Sequence, residues 1–192
     1  MKKLQHGRSM VEMLGVLAII GVLSVGAIAG YQKAMTKYKL NKYAADINSM
    51  IMNLKTLHAN QREIAAIKNK YYVPESLYQK YSGETTTFID KFGNDWVNNE
   101  DGIAVRMGGE LNAFSQERRA SIIKETCPLI LQVTKDIKIR SNIYHPKGNV
   151  KICNKGCPYT FDQLTLEKIN ELCDFILNAQ NGNAIMYIHY NE

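Results

Sequence analysis

Glu12 is the last charge before residues 13–30 (MLGVLAIIGVLSVGAIAG), which carry none. A carboxylate at the edge of an apolar run is costly in lipid, and it calls for a cation at the same depth. The other reactive side chains are spread thinly. Cys127, Cys153, Cys157 and Cys173 form an even set in the C-terminal part of the chain. In an exported domain such a set reads as two disulfides, with three pairings open. A four-cysteine zinc site would need two close pairs, and only Cys153-x3-Cys157 is close. A catalytic dithiol would need Cys-x-x-Cys beside a βαβ pattern, which is lacking. His6, His58, His145 and His189 are scattered, and packing or solvated roles are expected for His58 and His189. Asp90, Asn94, Asp95, Glu100 and Asp101 collect oxygens without the spacing of a calcium loop, so turn chemistry is expected there. The sequence contains no phosphate-binding glycine loop, no His-Glu-x-x-His and no nucleophile elbow. We therefore expect no enzyme, no cofactor and no metal.

The elements that must carry Glu12 are readable from hydrophobic pattern. Eighteen uncharged residues in a helix span about 27 Å, close to the ~30 Å of bilayer hydrocarbon. The same residues fit a secretory signal: Lys2 and Lys3 precede an apolar run ending in Ala27-Ile28-Ala29, a small-x-small cleavage site. The residues after the run favour a retained helix. Leu40, Tyr43, Ile47, Met50, Ile51, Leu54 and Leu57 recur mostly at spacings of three and four, which is an amphipathic stripe. No proline interrupts residues 8–65, so both parts are expected to form one helix of about 50 residues. Gly15, Gly21, Gly26 and Gly30 lie in the apolar part, and Gly26-x3-Gly30 is a small-xxx-small pair suited to close helix approach. Tyr31 suits an interfacial anchor. The net charge of +6 is mild, and no run of five basic residues occurs. Nucleic acid is not an expected partner. Lys33, Lys37, Lys39 and Lys42 read as a solvated helix face. Basic residues on both sides of the apolar run leave its orientation open.

On these residues the N-terminus resembles the leader of type IV prepilins and pseudopilins. Met1-Lys2-Lys3-Leu4-Gln5-His6-Gly7 is short, basic and ends in Gly; Glu12 is fifth after that Gly, and an unbroken apolar helix follows. The resemblance implies cleavage between Gly7 and Arg8 by a prepilin peptidase, methylation of the new amine, and pairing of Glu12 with the terminal amine of a neighbouring subunit. It implies insertion in a bacterial inner membrane, an assembly platform as partner, and polymerisation into an extracellular pilus or periplasmic pseudopilus. The chain departs from the pattern at Arg8, where the family usually has an apolar residue. Arg8 shares a helix face with Glu12 and competes for it within the chain. The stretch Phe88-Ile89-Asp90-Lys91-Phe92-Gly93, with a later helix bearing Cys127 and a cysteine-bounded C-terminal region, is similar to pilins of the b subclass.

The expected fold is α+β, as in type IV pilins: a long N-terminal helix packed on an antiparallel sheet with two shorter helices. The expected divisions are leader 1–7, assembly helix 8–30, amphipathic continuation 31–65 and globular head 66–192. Helical character should end by Tyr71-Tyr72-Val73-Pro74, with a loop at 81–87. Strands are expected at Thr86–Ile89, Trp96–Val97 and Ile103–Met107, the last two joined across Asn98–Gly102. Ser115 should cap a helix through Ala120, Ile123 and Cys127, which Pro128 is expected to end or kink. Strands Ile137–Tyr144 and Val150–Cys153 flank a Pro146-Lys147-Gly148 turn. Thr165 should cap a helix to Leu177 with Leu166, Ile169, Leu172, Cys173 and Ile176 inward. Ala184–Tyr190 is the last strand. Of the three disulfide pairings we expect Cys127–Cys173, joining the two helices, with Cys153–Cys157 closing a local turn. The rival reading from another class is a secreted binding domain cut after Ala29; within the class, the rival is a minor pilin or a type II secretion pseudopilin.

Overall fold

The computed structural model describes residues 10–60, 67–81, 83–110, 113–179 and 184–190. The first helix, α1, runs Met10–Asn60, with Glu12 in its first turn. The chain divides into two compact units between Asn41 and Lys42. The first unit contains the apolar part of α1. The second contains Lys42–Asn60 of α1 and the rest of the fold, which is α+β.

In the second unit the amphipathic stripe of α1 is buried. Tyr43, Ile47, Met50, Ile51 and Leu54 are sealed in the core, while Leu57 is half-buried. They join an eight-stranded sheet of order β1-β2-β3-β4-β8-β5-β6-β7. The strands are β1 (Tyr78–Tyr81), β2 (Thr87–Asp90), β3 (Asp95–Asn99), β4 (Gly102–Arg106), β5 (Ser141–Tyr144), β6 (Val150–Cys153), β7 (Tyr159–Thr160) and β8 (Ile185–His189). All pairings are antiparallel except β6 with β7. The period-2 alternation lays rows of side chains across the sheet. One row runs Phe88, Trp96, Val105, Met186 and Ile143, all buried. The last strand, β8, sits between β4 and β5, so the centre of the sheet closes only when the C-terminal segment arrives. Gly102 is required there: a side-chain carbon on it would lie 2.3 Å from the Ile188 carbonyl oxygen.

Among the described residues two further α-helices pack here, α2 (Gln116–Asp136) and α3 (Leu166–Leu177), with short 3-10 turns at Asn69–Tyr71 and Phe161–Gln163. Ser115 Oγ accepts from Arg118 N and Thr165 Oγ1 from Lys168 N, so both caps form as the sequence predicts. Cys127 and Cys173 join α2 to α3, with Cα atoms 5.8 Å apart. Cys153 and Cys157 close the turn after β6.

Several local expectations are corrected. Pro128 neither ends nor breaks α2, which continues to Asp136. The proline removes one N–H, but Cys127, Ile130 and Leu131 on either side are fully buried, and their packing outweighs the lost bond. Leu166 is 69% exposed instead of inward. It lies in the first turn of α3, level with the end of α2, where Lys135 Nζ donates to the Leu164 carbonyl at 2.7 Å. Strand β5 starts at Ser141, not Ile137, because 137–139 close the end of α2. Ile139 N donates to Thr134 O (3.1 Å) and Lys138 N to Lys135 O (3.0 Å). That is the Schellman pattern, whose left-handed position usually holds glycine. Here it holds Lys138, with φ 50°, at a cost of about 1 kcal/mol. Strand β1 occupies Tyr78–Tyr81 and β2 begins at Thr87, so both ends of the expected 81–87 loop are strand. The β3–β4 connection is only Glu100-Asp101, since Asn99 pairs with Gly102.

Candidate functional site: a bare helix and a buried carboxylate

In the first unit, every side chain from Met10 to Gly30 is exposed. The most apolar window has a mean hydropathy of 2.4, and none of it is buried. By length and composition this helix can cross a membrane. Only Glu12 and Ser24 are polar in that stretch. Ser24 Oγ donates to the Ile20 carbonyl at 2.7 Å, so its hydroxyl is satisfied within the helix. Thr36 does the same to Gln32. A side-chain carbon on Gly15, Gly21, Gly26 or Gly30 would meet no atom within 4 Å. These glycines each weaken the helix by about 1 kcal/mol relative to alanine, and no described residue packs against them. At 3.6 residues per turn, Glu12, Gly15, Gly26 and Gly30 fall within an arc of roughly 60°, while Gly21 lies on another face. Gly7 and Arg8, the expected cleavage site, lie outside the described residues.

In the second unit the same helix is held by a second acid. Asp90 is fully buried. Its Oδ1 accepts from the backbone N–H groups of Phe92, Gly93 and Asn94, each at 2.9 Å. Its Oδ2 accepts from Tyr43 O–H, from Asn94 Nδ2 at 2.9 Å and from Trp96 Nε1 at 2.8 Å. Asn94 Nδ2 also reaches Tyr43 Oη (2.9 Å), and Asn94 Oδ1 accepts from Gly108 N (3.0 Å). Gly93 turns the chain into this cradle with φ +104°, a conformation costly for any side chain. Six donors thus solvate one buried anion, with no cation beside it among the described residues. Burial, reinforced by the Asp90 charge, holds the Tyr43 phenol pKa well above its usual range, so it stays a donor. The network ties α1 through Tyr43 to the β2–β3 turn.

The sequence places Asp90 and Asn94 in turn chemistry but misses this network. Its signal was available: an acid three residues before a glycine, with Asn94 next and Trp96 two residues further on. Asp95 has a different fate and pairs with Arg106 at 3.2 Å, while Glu100 and Asp101 form the hairpin turn. His58 stacks on Tyr190 with ring centres 4.1 Å apart, and His189 meets the Asn142 amide at 2.8 Å. All four cysteines are in disulfides. Among the described residues, no three His, Cys, Asp or Glu side chains converge as a metal site.

Comparisons with models of protein families, with characterised proteins and with solved structures find no match.

Proposed function

We propose that this chain is a structural subunit of a type IV pilus-like filament, inserted in a membrane and polymerised through the apolar part of α1. One observation carries the reading: from Met10 to Gly30 the helix buries nothing, yet it holds a single acid and three glycines on one face. A helix that apolar is soluble only in lipid or among copies of itself. The reading follows the prepilin pattern. A prepilin peptidase removes the leader after Gly7, Glu12 takes the terminal amine of a neighbour, and the inner-membrane platform extracts the subunit. Helix packing in a dry core supplies the energy and Glu12 sets the register. The role is architectural, not enzymatic. A minor pilin or a type II secretion pseudopilin would share all of this.

A second reading is supported by the boundary between the units. The buried stripe of α1 begins at Tyr43, so a signal peptidase cut after Ala29 would spare the core and release a disulfide-bonded binding domain. N-terminal sequencing and intact mass of protein from host membranes separate the two. A start at Arg8, with or without an added methyl, supports the filament. A start at Gly30 ends it. In cells that assemble the filament, Glu12→Val should abolish assembly and leave membrane insertion intact.

A further inference from the structure

A pocket of about 320 Å3 lies in the second unit, lined by Lys138, Arg140, Lys151 and Lys155 around Phe161 and the Cys153–Cys157 disulfide. That volume lies at the small end of ligand sites. The four cations come from three pieces of chain: the segment between α2 and β5, strand β6, and the disulfide-closed turn. No acid lines the pocket. None of the four makes an ion pair among the described residues. Like charges gathered without a counter-charge disfavour the fold and favour an incoming anion.

The backbone gives a second sign. Lys138 is the one described non-glycine residue with positive φ. It takes the helix-ending position where glycine is the comfortable choice, and the residue lines the pocket. Backbone strain accepted at a lysine that lines a pocket with three other basic residues points to a role for that residue. The wall has a different character. Phe161 and the disulfide are apolar, and Asn154 with Gly156 presents amide groups. An apolar wall together with four basic residues suits a ring that carries an anionic group. A nucleic-acid strand would call for exposed aromatic platforms along a basic groove. Here the aromatic ring is buried and the cations surround a pit.

We propose that this pocket binds an anionic sugar through its sulfate or phosphate group. The inference goes beyond filament assembly and does not rest on it, because every lining residue lies within one unit.

The test is calorimetric titration of the full-length chain in neutral-detergent micelles. The probes are a sulfated heparin-type disaccharide, a sugar phosphate, the unsulfated disaccharide, inorganic phosphate and a short single-stranded DNA. The sulfated or phosphorylated sugars should bind, and the unsulfated one should not. The combined variant K138Q/R140Q/K151Q/K155Q should weaken binding at least about tenfold. Removing the same charge elsewhere, with K55Q/K80Q/K91Q/K124Q, should change it less than about twofold. Trp96 fluorescence checks the fold. If the combined variant misfolds, K151Q and K155Q singly should each weaken binding about threefold. Equal loss in both charge sets would reduce the effect to net charge and overturn the proposal. So would inorganic phosphate binding as tightly as the sugars, tighter binding of the DNA with the same losses, or no binding of the anionic sugars at all.

Discussion

From Met10 to Gly30, α1 exposes every side chain; from Tyr43 to Leu54 it buries Tyr43, Ile47, Met50, Ile51 and Leu54. Each part also carries or meets one decisive carboxylate. Glu12 sits exposed in the first turn, and Asp90 grips Tyr43 from the sheet with all its lone pairs supplied. The contrast is between an acid exposed in the first turn of the helix and one that is buried and solvated by six donors of its own domain. Helical propensity is lower in the apolar part, which holds four glycines, yet both parts are helical. What differs is which solvent each face requires.

The sharpest way to break the comparison is to exchange the consequences of the two acids. Asp90→Ala would remove the shared acceptor of six hydrogen bonds and leave Tyr43 O–H, Trp96 Nε1 and Asn94 N without it in the core. It should cost about 5 kcal/mol, a large share of a domain's stability. Glu12→Val should leave the denaturation midpoint of the second unit unchanged while filaments are lost. Urea titration of the full-length chain in micelles, followed by Trp96 fluorescence, reads the first; electron microscopy of cells reads the second. If Glu12→Val lowered the midpoint as far as Asp90→Ala, the two parts of α1 would not be energetically separate.

The disulfides give a milder contrast inside the second unit. Cys127–Cys173 closes a span of 46 residues, and its replacement by two serines should cost roughly 4 kcal/mol in the chain-entropy model. Cys153–Cys157 spans only 4 residues, and its loss should barely move the midpoint. Its removal should instead weaken anion binding at the pocket it closes. A large stability loss from the second pair would contradict this division.

How much of this was legible in sequence depends on how local the cause is. The stripe Tyr43–Leu54, the caps at Ser115 and Thr165, and strands β6 and β8 follow from period and capping chemistry within one segment. The expected pairing of the cysteines agrees with the bonds formed, because two helices with inward cysteines have few ways to meet. The misses are non-local. Pro128 argues for a helix end, and only the packing of Cys127, Ile130 and Leu131 reverses it. Tyr78–Tyr81 is a short, half-polar edge strand whose identity comes from its partner β2. The Asp90 network draws donors from residues 43 to 96, and no window of sequence holds both ends.

Acid provides a smaller perturbation. Burial lowers the pKa of His58, His145 and His189 from their ordinary 6.5. Lys147 adds to the effect at His145 and Arg140 at His189, while Asp101 opposes it at His58 and His189. The folded state therefore prefers neutral rings. Between 6.5 and the lower folded values the unfolded chain binds more protons, so stability is complete above 6.5 and falls as pH drops through that window. The urea midpoint should decline from neutrality to about pH 5, by less than the loss of Cys127–Cys173 produces. His145→Leu, which keeps an apolar group against Phe175, should flatten the slope. A midpoint that rises on acidification would show that the rings gain partners on protonation.

The smallest expected change tests the trade between stability and binding at one residue. Lys138→Gly relieves the left-handed backbone at the end of α2 and should stabilise the second unit, by up to about 1 kcal/mol, less the entropy glycine adds to the unfolded chain. The same change removes one of the four cations from the pocket and should weaken the anionic sugar. Lys138→Asn is the needed companion: asparagine tolerates the same backbone and also lacks the charge. Both variants should match or exceed the parent in urea midpoint and fall below it in sugar affinity. A glycine variant that is less stable, or one that binds as tightly as the parent, would mean that Lys138 holds its place for the helix end and not for the pocket.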